Sequence, residues 1–206
     1  MADPVDGHSE QLVGAAAEGG ADAIGELLET YRERLRKMVA VRIDPWLSAR
    51  LDPSDVVQEA FVEAAKRLPE YMRTTPLPFY PWLRQLTWEQ FMHIRVHQLA
   101  EKRSPLREEA LNTPLSESGM ARLVDQVAAV ESSPSGHAVH EEARERVRDA
   151  IGQLEQHDRE VLILRYLEQL ETREIAAALG IREGAVRMRH LRALERLRVS
   201  LGKDET

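Results

Sequence analysis

The sequence predicts an all-α protein made of two small helical domains joined by a flexible acidic linker. Three observations carry that prediction. Apolar side chains recur three and four residues apart over most of the chain, as a buried helix face requires. Aromatic residues make up 5% of the composition, and no segment sustains the alternation of a strand. From residue 104 to 141 the rhythm dissolves into proline, serine, glycine and acidic residues, the composition of a connector. A chain of 206 residues has room for one large domain or two small ones. The division that follows is a tail at 1–20, a helical domain at 21–103, the linker at 104–141 and a second helical domain at 142–202.

The first helix runs from about Ala21 to Val41, with Ile24, Leu27, Leu28, Tyr31, Leu35 and Met38 as its buried stripe. Asp44-Pro45 breaks it. A second helix starts at Asp52-Pro53-Ser54-Asp55, because Asp52 can accept the first free N–H groups and proline suits the first helical position. Its stripe is Val57, Ala60, Phe61, Ala64 and Leu68, and Pro69 marks its expected end. The stretch from Tyr71 to Pro81 holds Pro76, Pro78 and Pro81 and is expected to be a loop. A third helix opens near Pro81, buries Trp82, Leu83, Leu86 and Ile94, and turns basic toward Arg95, Lys102 and Arg103. Residues 111–130 carry scattered apolar positions, and no stable helix is assigned to them.

The last quarter is the most regular. Val147, Ala150, Ile151 and Leu154 share one helix face, and Val161, Leu162, Leu164 and Leu167 share the next. Thr172–Leu179 reads as a short helix, Gly180-Ile181-Arg182 as a turn, and Glu183–Leu201 as a long helix. Gly180 stands just past a helix end, where a positive φ is needed. Short helix, glycine turn and long helix make a helix-turn-helix.

Composition narrows the function. The chain has no cysteine, which excludes disulfides and thiolate zinc sites. The opening MADPVDGHSEQ lacks the basic and apolar regions of a secretory signal, and no run approaches the roughly 18 apolar residues of a membrane span. A soluble, cytoplasmic protein without membrane insertion is expected. The net charge of −7 argues against nucleic acid only until its distribution is read. Between Thr172 and Leu201 seven arginines face three glutamates, a net of +4. Between Pro105 and Glu142 two arginines face seven acids, a net of −5. A basic C-terminal segment behind an acidic connector is the pattern of a local anion-binding surface.

In a helix-turn-helix the second helix enters the major groove by its N-terminal part. Val186, Ala193, Leu194, Leu197 and Leu201 recur at core spacing, so the opposite side presents Arg187, Met188, Leu191 and Arg192. The arginines can reach guanine edges or phosphates, and Met188 and Leu191 can touch thymine methyls. Gly184 and Ala185 are small enough for the helix start to approach a phosphate, and Arg182 leads into it. These seven residues are the candidate DNA-reading set.

Three segments then resemble one family in family order. LDPSDVVQEAFVEAAKRLPEY (51–71) resembles the polymerase-binding helix of sigma-70 proteins, with Asp55, Val57, Gln58, Glu59 and Phe61 matching its pattern. FYPWLRQLTWEQFMHIRVHQLAEKR (79–103) resembles the helix that melts promoters and reads the −10 element, best at Trp82-Leu83-Arg84. LEQHDREVLILRYLEQLETREIAAALGIREGAVRMRHLRALERLR (154–198) resembles the −35-reading domain. Together they cover a little under half of the chain, and their spacing resembles the two-domain extracytoplasmic-function group. The wording LDPSDVVQEAF and PFYPWLRQLTWE is similar to a subgroup found in planctomycete-like bacteria. Two positions depart from the family: Glu89 or Gln90 stands where asparagine is usual, and Ala185 where threonine is usual.

The resemblance implies a non-enzymatic sigma factor without cofactor, with a sigma-2-like domain at 21–103 and a sigma-4-like domain at 142–202. Its implied partners are promoter DNA, the clamp helices of the largest polymerase subunit, the flap of the second largest, and an anti-sigma factor. Asp55, Gln58 and Glu59 lie on one side of a helix and would pair with basic residues of a coiled coil. Tyr71, Arg73, Arg84, Trp88 and Met92 are the candidates for the melted strand, since strand opening needs a stacking or cationic surface. The implied linker would thread toward the RNA exit path.

Two other readings use the same residues. The helix-turn-helix could serve a regulator that never binds the polymerase core. His93 and His97 sit four apart with Glu89 a turn earlier, a spacing that can hold a metal in a helical hydrolase. No H-E-x-x-H sequence or glycine-rich phosphate loop accompanies them.

Overall fold

A computed structural model describes residues 13–14, 21–43, 45–101, 115–131 and 137–202. Its helices are α1 (Ala21–Ala40), α2 (Pro45–Ser48), α3 (Pro53–Thr74), α4 (Phe79–Glu101), α5 (Glu117–Glu131), α6 (His137–Gln153), α7 (Gln156–Leu162), a π-turn (Ile163–Leu167), α8 (Thr172–Leu179) and α9 (Glu183–Gly202). No strand occurs among the described residues, as the all-α expectation requires. No described helix is long and apolar enough to cross a membrane. Most of the tail at 1–20, the basic pair Lys102 and Arg103, and the linker positions 104–114 and 132–136 lie outside the described residues. The chain divides into two compact units, residues 1–39 with 47–112 and residues 40–46 with 113–206.

The first unit is built on α1, α3 and α4. Asp52 caps α3, its carboxylate accepting from the Ser54 N–H at 2.7 Å, and Pro53 follows at the first position. Hydrogen bonds from the Ser54 N–H and then its hydroxyl hold the Asp52 carboxyl below its ordinary range. Pro69 does not end the helix; α3 runs on to Thr74. A proline inside a helix costs roughly 3 kcal/mol, but Leu68 and Tyr71 on either side are buried and return about 1.5–3 kcal/mol each. The expected loop at 71–81 therefore shrinks to residues 75–78. Thr75 closes α3 at φ 39°, with its N–H bonded to the Tyr71 carbonyl at 2.6 Å.

Tyr71 belongs to an aromatic cluster with Tyr31, Phe79, Tyr80 and Trp82. Its ring centroid lies 4.4 Å from Trp82 and 5.6 Å from Phe79. Its hydroxyl donates to the Leu77 carbonyl at 3.0 Å, which ties the proline-rich turn to the core. Leu83, Leu86 and Phe91 of α4 are buried as well, whereas Ile94 is only half-buried.

The second unit corrects the linker. Within the supposed connector at 104–141, Glu117–Glu131 is helical and buries Leu123, Val124 and Val127. They join Ile151, Leu154, Leu162, Ile163, Leu167, Ala193 and Leu197 in one core. A short helix with so few apolar positions is marginal alone and is stabilised by the surface it packs on, so periodicity could not reveal it.

The segment 40–46 is part of the same unit. The Val41 carbonyl accepts from the N–H and hydroxyl of Ser116, at 3.0 and 2.9 Å. Arg42, fully buried, pairs with the equally buried Glu168 and with Glu160 at 3.0 Å. The π-turn places Glu168 there: its N–H bonds back five residues to the Ile163 carbonyl at 3.2 Å. Gln169 follows at φ 57° and Leu170 is buried, turning the chain into α8.

Candidate nucleic-acid interface

The helix-turn-helix is set by its caps. At the start of α8 the Glu174 carboxylate accepts from the Glu171 N–H at 2.9 Å. At its end Gly180 adopts φ 64°, and the Ile181 N–H returns to the Ala176 carbonyl at 3.0 Å. The Arg182 carbonyl accepts from Ala185 and Val186 and opens α9. Val186, Ala193 and Leu197 are buried and Leu194 half-buried, fixing the rotation of α9 about its axis.

That rotation exposes the expected face. Arg182, Gly184, Arg187, Met188, Leu191 and Arg192 are exposed and Ala185 is half-exposed. Met188 and Leu191 retain 56% and 47% of their accessible surface, two apolar side chains left among arginines. Arg187 is held by Glu183 at 2.7 Å. A surface pair of this kind is worth about 0–1 kcal/mol, so a phosphate or guanine can displace the glutamate. Arg192 differs: at about 100° per residue it lies some 80° around the helix from Gly184. Its Nη2 approaches Asp158 of α7 at 3.6 Å.

Beside this face Arg165 donates to the Thr172 hydroxyl at 3.2 Å, and Arg165, Thr172, Arg173 and Glu183 line one groove. Arg165 stands just upstream of the basic segment read from the sequence, so a charge count starting at Thr172 misses it. His190 faces the other way, its Nε2 3.1 Å from the Tyr166 hydroxyl. Burial first, and Arg165 second, lower the pKa of this imidazole below its ordinary value.

In the first unit Asp55, Gln58 and Glu59 are exposed on α3, while Val56, Val57 and Phe61 are buried beneath them. Arg32 of α1 donates to Gln58 Oε1 at 3.3 Å and lies 4.9 Å from the centre of the Phe61 ring. Val62, exposed one turn beyond Gln58, extends this face; the sequence pattern gave no sign of it because it falls outside the buried stripe.

The candidates for the melted strand divide. Tyr71 retains 4% of its surface, and burial with Tyr31 nearby pushes its hydroxyl pKa up to about 12. Arg84 retains 8%. Both were expected at a surface and both lie in the core: α3 continues through Tyr71, which was assigned to a loop, and the first turns of α4 around Arg84 are buried on nearly every side. Arg73 is exposed, and Trp88 and Met92 are half-buried, with the Trp88 ring 5.7 Å from Phe91. His93 and His97 are exposed on α4, and Glu89 accepts from Arg67 at 3.4 Å and Gln85 at 3.2 Å. Among the described residues no group of three or more histidine, aspartate or glutamate side chains could hold a metal ion.

Residues 144–197, which include the whole helix-turn-helix, match the family model of sigma-70 region 4. The chain is 28% identical over 190 residues to the ECF RNA polymerase sigma factor SigD of Mycobacterium bovis, covering 92% of this chain and 82% of that protein. It is 29% identical over 185 residues to the ECF RNA polymerase sigma-E factor of Escherichia coli, covering 89% of each. Over most of its length the chain is similar to extracytoplasmic-function sigma factors, and its helix-turn-helix segment matches region 4 of the sigma-70 family. The sigma factor is a transcription initiation factor, not an enzyme, and directs RNA polymerase to promoters. Its fold resembles that of CnrH, solved in complex with the cytosolic domain of CnrY, with a TM-score of 0.54, 23% identity, and 98% and 99% of the two chains covered.

Proposed function

We propose that the second unit of this sigma factor reads the −35 element, with Arg182, Gly184, Ala185, Arg187, Met188 and Leu191 facing the groove and Arg192 on its flank. The observation that carries this is the fixed rotation of α9. The same helix that buries Val186, Ala193 and Leu197 leaves two arginines and two large apolar side chains exposed in its first turns. Arg165 and Arg173 add positive charge beside the helix start, suited to phosphate.

The first unit docks on the polymerase core through Asp55, Gln58 and Glu59, which suit a basic coiled coil such as the clamp helices of the largest subunit. Val62 supplies an apolar contact within that charged patch. The flap of the second-largest subunit would take the −35 unit. Arg73, Trp88 and Met92 remain as the surface for the melted strand, with Tyr71 and Arg84 shaping the core beneath. CnrH is recorded with a protein bound to it, and a comparable anti-sigma partner would hold this chain inactive.

Run-off transcription on genomic fragments with core polymerase tests this reading. Discrete transcripts that require the chain are expected. Binding to specific DNA without transcripts, and without copurification with the core, would point instead to a regulator that uses its helix-turn-helix alone.

A further inference from the structure

Asp158 is a buried carboxylate facing α9. Its side chain retains 3% of its surface, its Oδ1 lies 3.6 Å from Arg192 Nη2, and its Oδ2 lies 3.4 Å from Arg196 Nη1. Glu155, one turn earlier, holds the same Arg196 at 3.2 Å. Oδ2 has no hydrogen-bond partner among the described residues and meets the Arg196 guanidinium at ion-pair distance. A buried carboxylate in that position loses heavily when its counter-charges leave, and solvent screens it far less than the Glu183–Arg187 pair on the exposed face.

We propose that Asp158 is a positioning residue for DNA reading: it holds the guanidinium of Arg192 at the flank of the recognition helix. The inference rests on the reading of α9 as the −35-reading helix. An arginine has five N–H donors in a rigid fork, and an ion pair at one nitrogen leaves the others directed outward. Arg192 then meets the DNA in one orientation instead of sweeping across several base pairs. Arg196, held by Glu155 and Asp158, is kept off the DNA and secures the far half of α9. The carboxylate also subtracts one charge from the basic surface, which weakens binding to arbitrary sequence.

The test uses full-length Asp158→Asn and Asp158→Glu chains assembled with core polymerase. The DNA probes are a promoter fragment selected by run-off transcription with the unaltered chain and the same fragment with its −35 element scrambled. For Asp158→Asn the affinity ratio between the fragments should fall about fivefold, a loss within the range of one well-made base contact. Affinity for the scrambled fragment should hold or rise, with a salt slope steeper by about one unit. Asp158→Glu, which keeps the charge, should restore most of the ratio. An unchanged ratio for Asp158→Asn overturns the proposal. So does equal weakening on both fragments together with a lower melting temperature, the signature of a brace for the fold. If the unaltered holoenzyme itself does not distinguish the two fragments, the reading of α9 is what fails, and this proposal falls with it.

Discussion

Arg187 and His190 stand three residues apart on one helix and have opposite fates. Arg187 is paired with an exposed glutamate, so its guanidinium could be released to a ligand at little cost. Arg187→Ala should cost about 1–3 kcal/mol of promoter affinity and relax discrimination at one −35 base pair if it reads a guanine. If it meets only phosphate, the loss should be even across sequences and the salt slope should shrink by about one unit; band shifts with holoenzyme at several salt concentrations separate the two. His190 is turned inward against Tyr166. Its folded pKa is lowered, so on acidification the unfolded chain takes up the proton first, near the ordinary value of about 6.5. Stability from this group is thus present above that pH and declines as pH falls toward the lower folded value. Melting curves from pH 7.5 to 5 should show a smaller decline for His190→Gln. The outward direction of Arg187 was legible in the sequence, because the apolar residues of α9 declare the opposite side. The inward direction of His190 was not, since its partner comes from a π-turn that no periodicity announces.

Among the elements, α5 departs most from expectation. Its sequence has the acids and small polar residues of a tether, yet Leu123, Val124 and Val127 are buried in the core of the second unit. Leu123→Ala should therefore lower the stability of that unit by about 2–5 kcal/mol, a cost typical of a buried leucine and absent from a solvated tether. Amides near 123–127 should exchange slowly in the free protein, as measured by hydrogen exchange; rapid exchange there would show that the helix is not part of the fold. The extension of α3 past Pro69 has the same origin. Proline weighs against helix locally, and the burial of Tyr71 in an aromatic cluster outweighs it. Caps and turns, by contrast, were readable from the chain: Asp52-Pro53 starts α3 and Gly180 ends α8 because each rests on neighbouring atoms alone. Local chemistry announces itself in sequence, and stabilisation from distant residues does not.

At the scale of the whole chain, a net charge of −7 coexists with a basic C-terminal helix because the charges are segregated. In the proposed reading, acids lie where a polymerase would be met and arginines where DNA would be. Reversing that arrangement at one place should act on one partner. Asp55→Arg with Gln58→Ala should weaken capture of core polymerase at least tenfold in a pull-down, given 2–5 kcal/mol for charge pairs at interfaces, and leave circular dichroism and melting temperature unchanged. Unaltered capture would remove α3 from the docking surface. The order of the three family-like segments is what suggests this proposed division of labour. Where the compact units begin and end was not legible, because residues 40–46 fold with a unit whose other residues start more than sixty positions later.

That seven-residue segment bears on how the protein can be taken apart. A fragment cut at the acidic stretch, residues 113–206, would carry the buried Glu168 without the Arg42 guanidinium that pairs with it, and the Ser116 hydroxyl without the Val41 carbonyl. Loss of one partner from a buried pair costs roughly 3–5 kcal/mol, enough to unfold a small fragment outright. A synthetic peptide spanning residues 40–46, added in trans, should raise the fragment's melting temperature, and the same peptide with Arg42→Ala should not. Deletion mapping of this protein would otherwise mistake a missing splint for a missing recognition helix, since a fragment that contains every DNA-facing residue would still fail to bind.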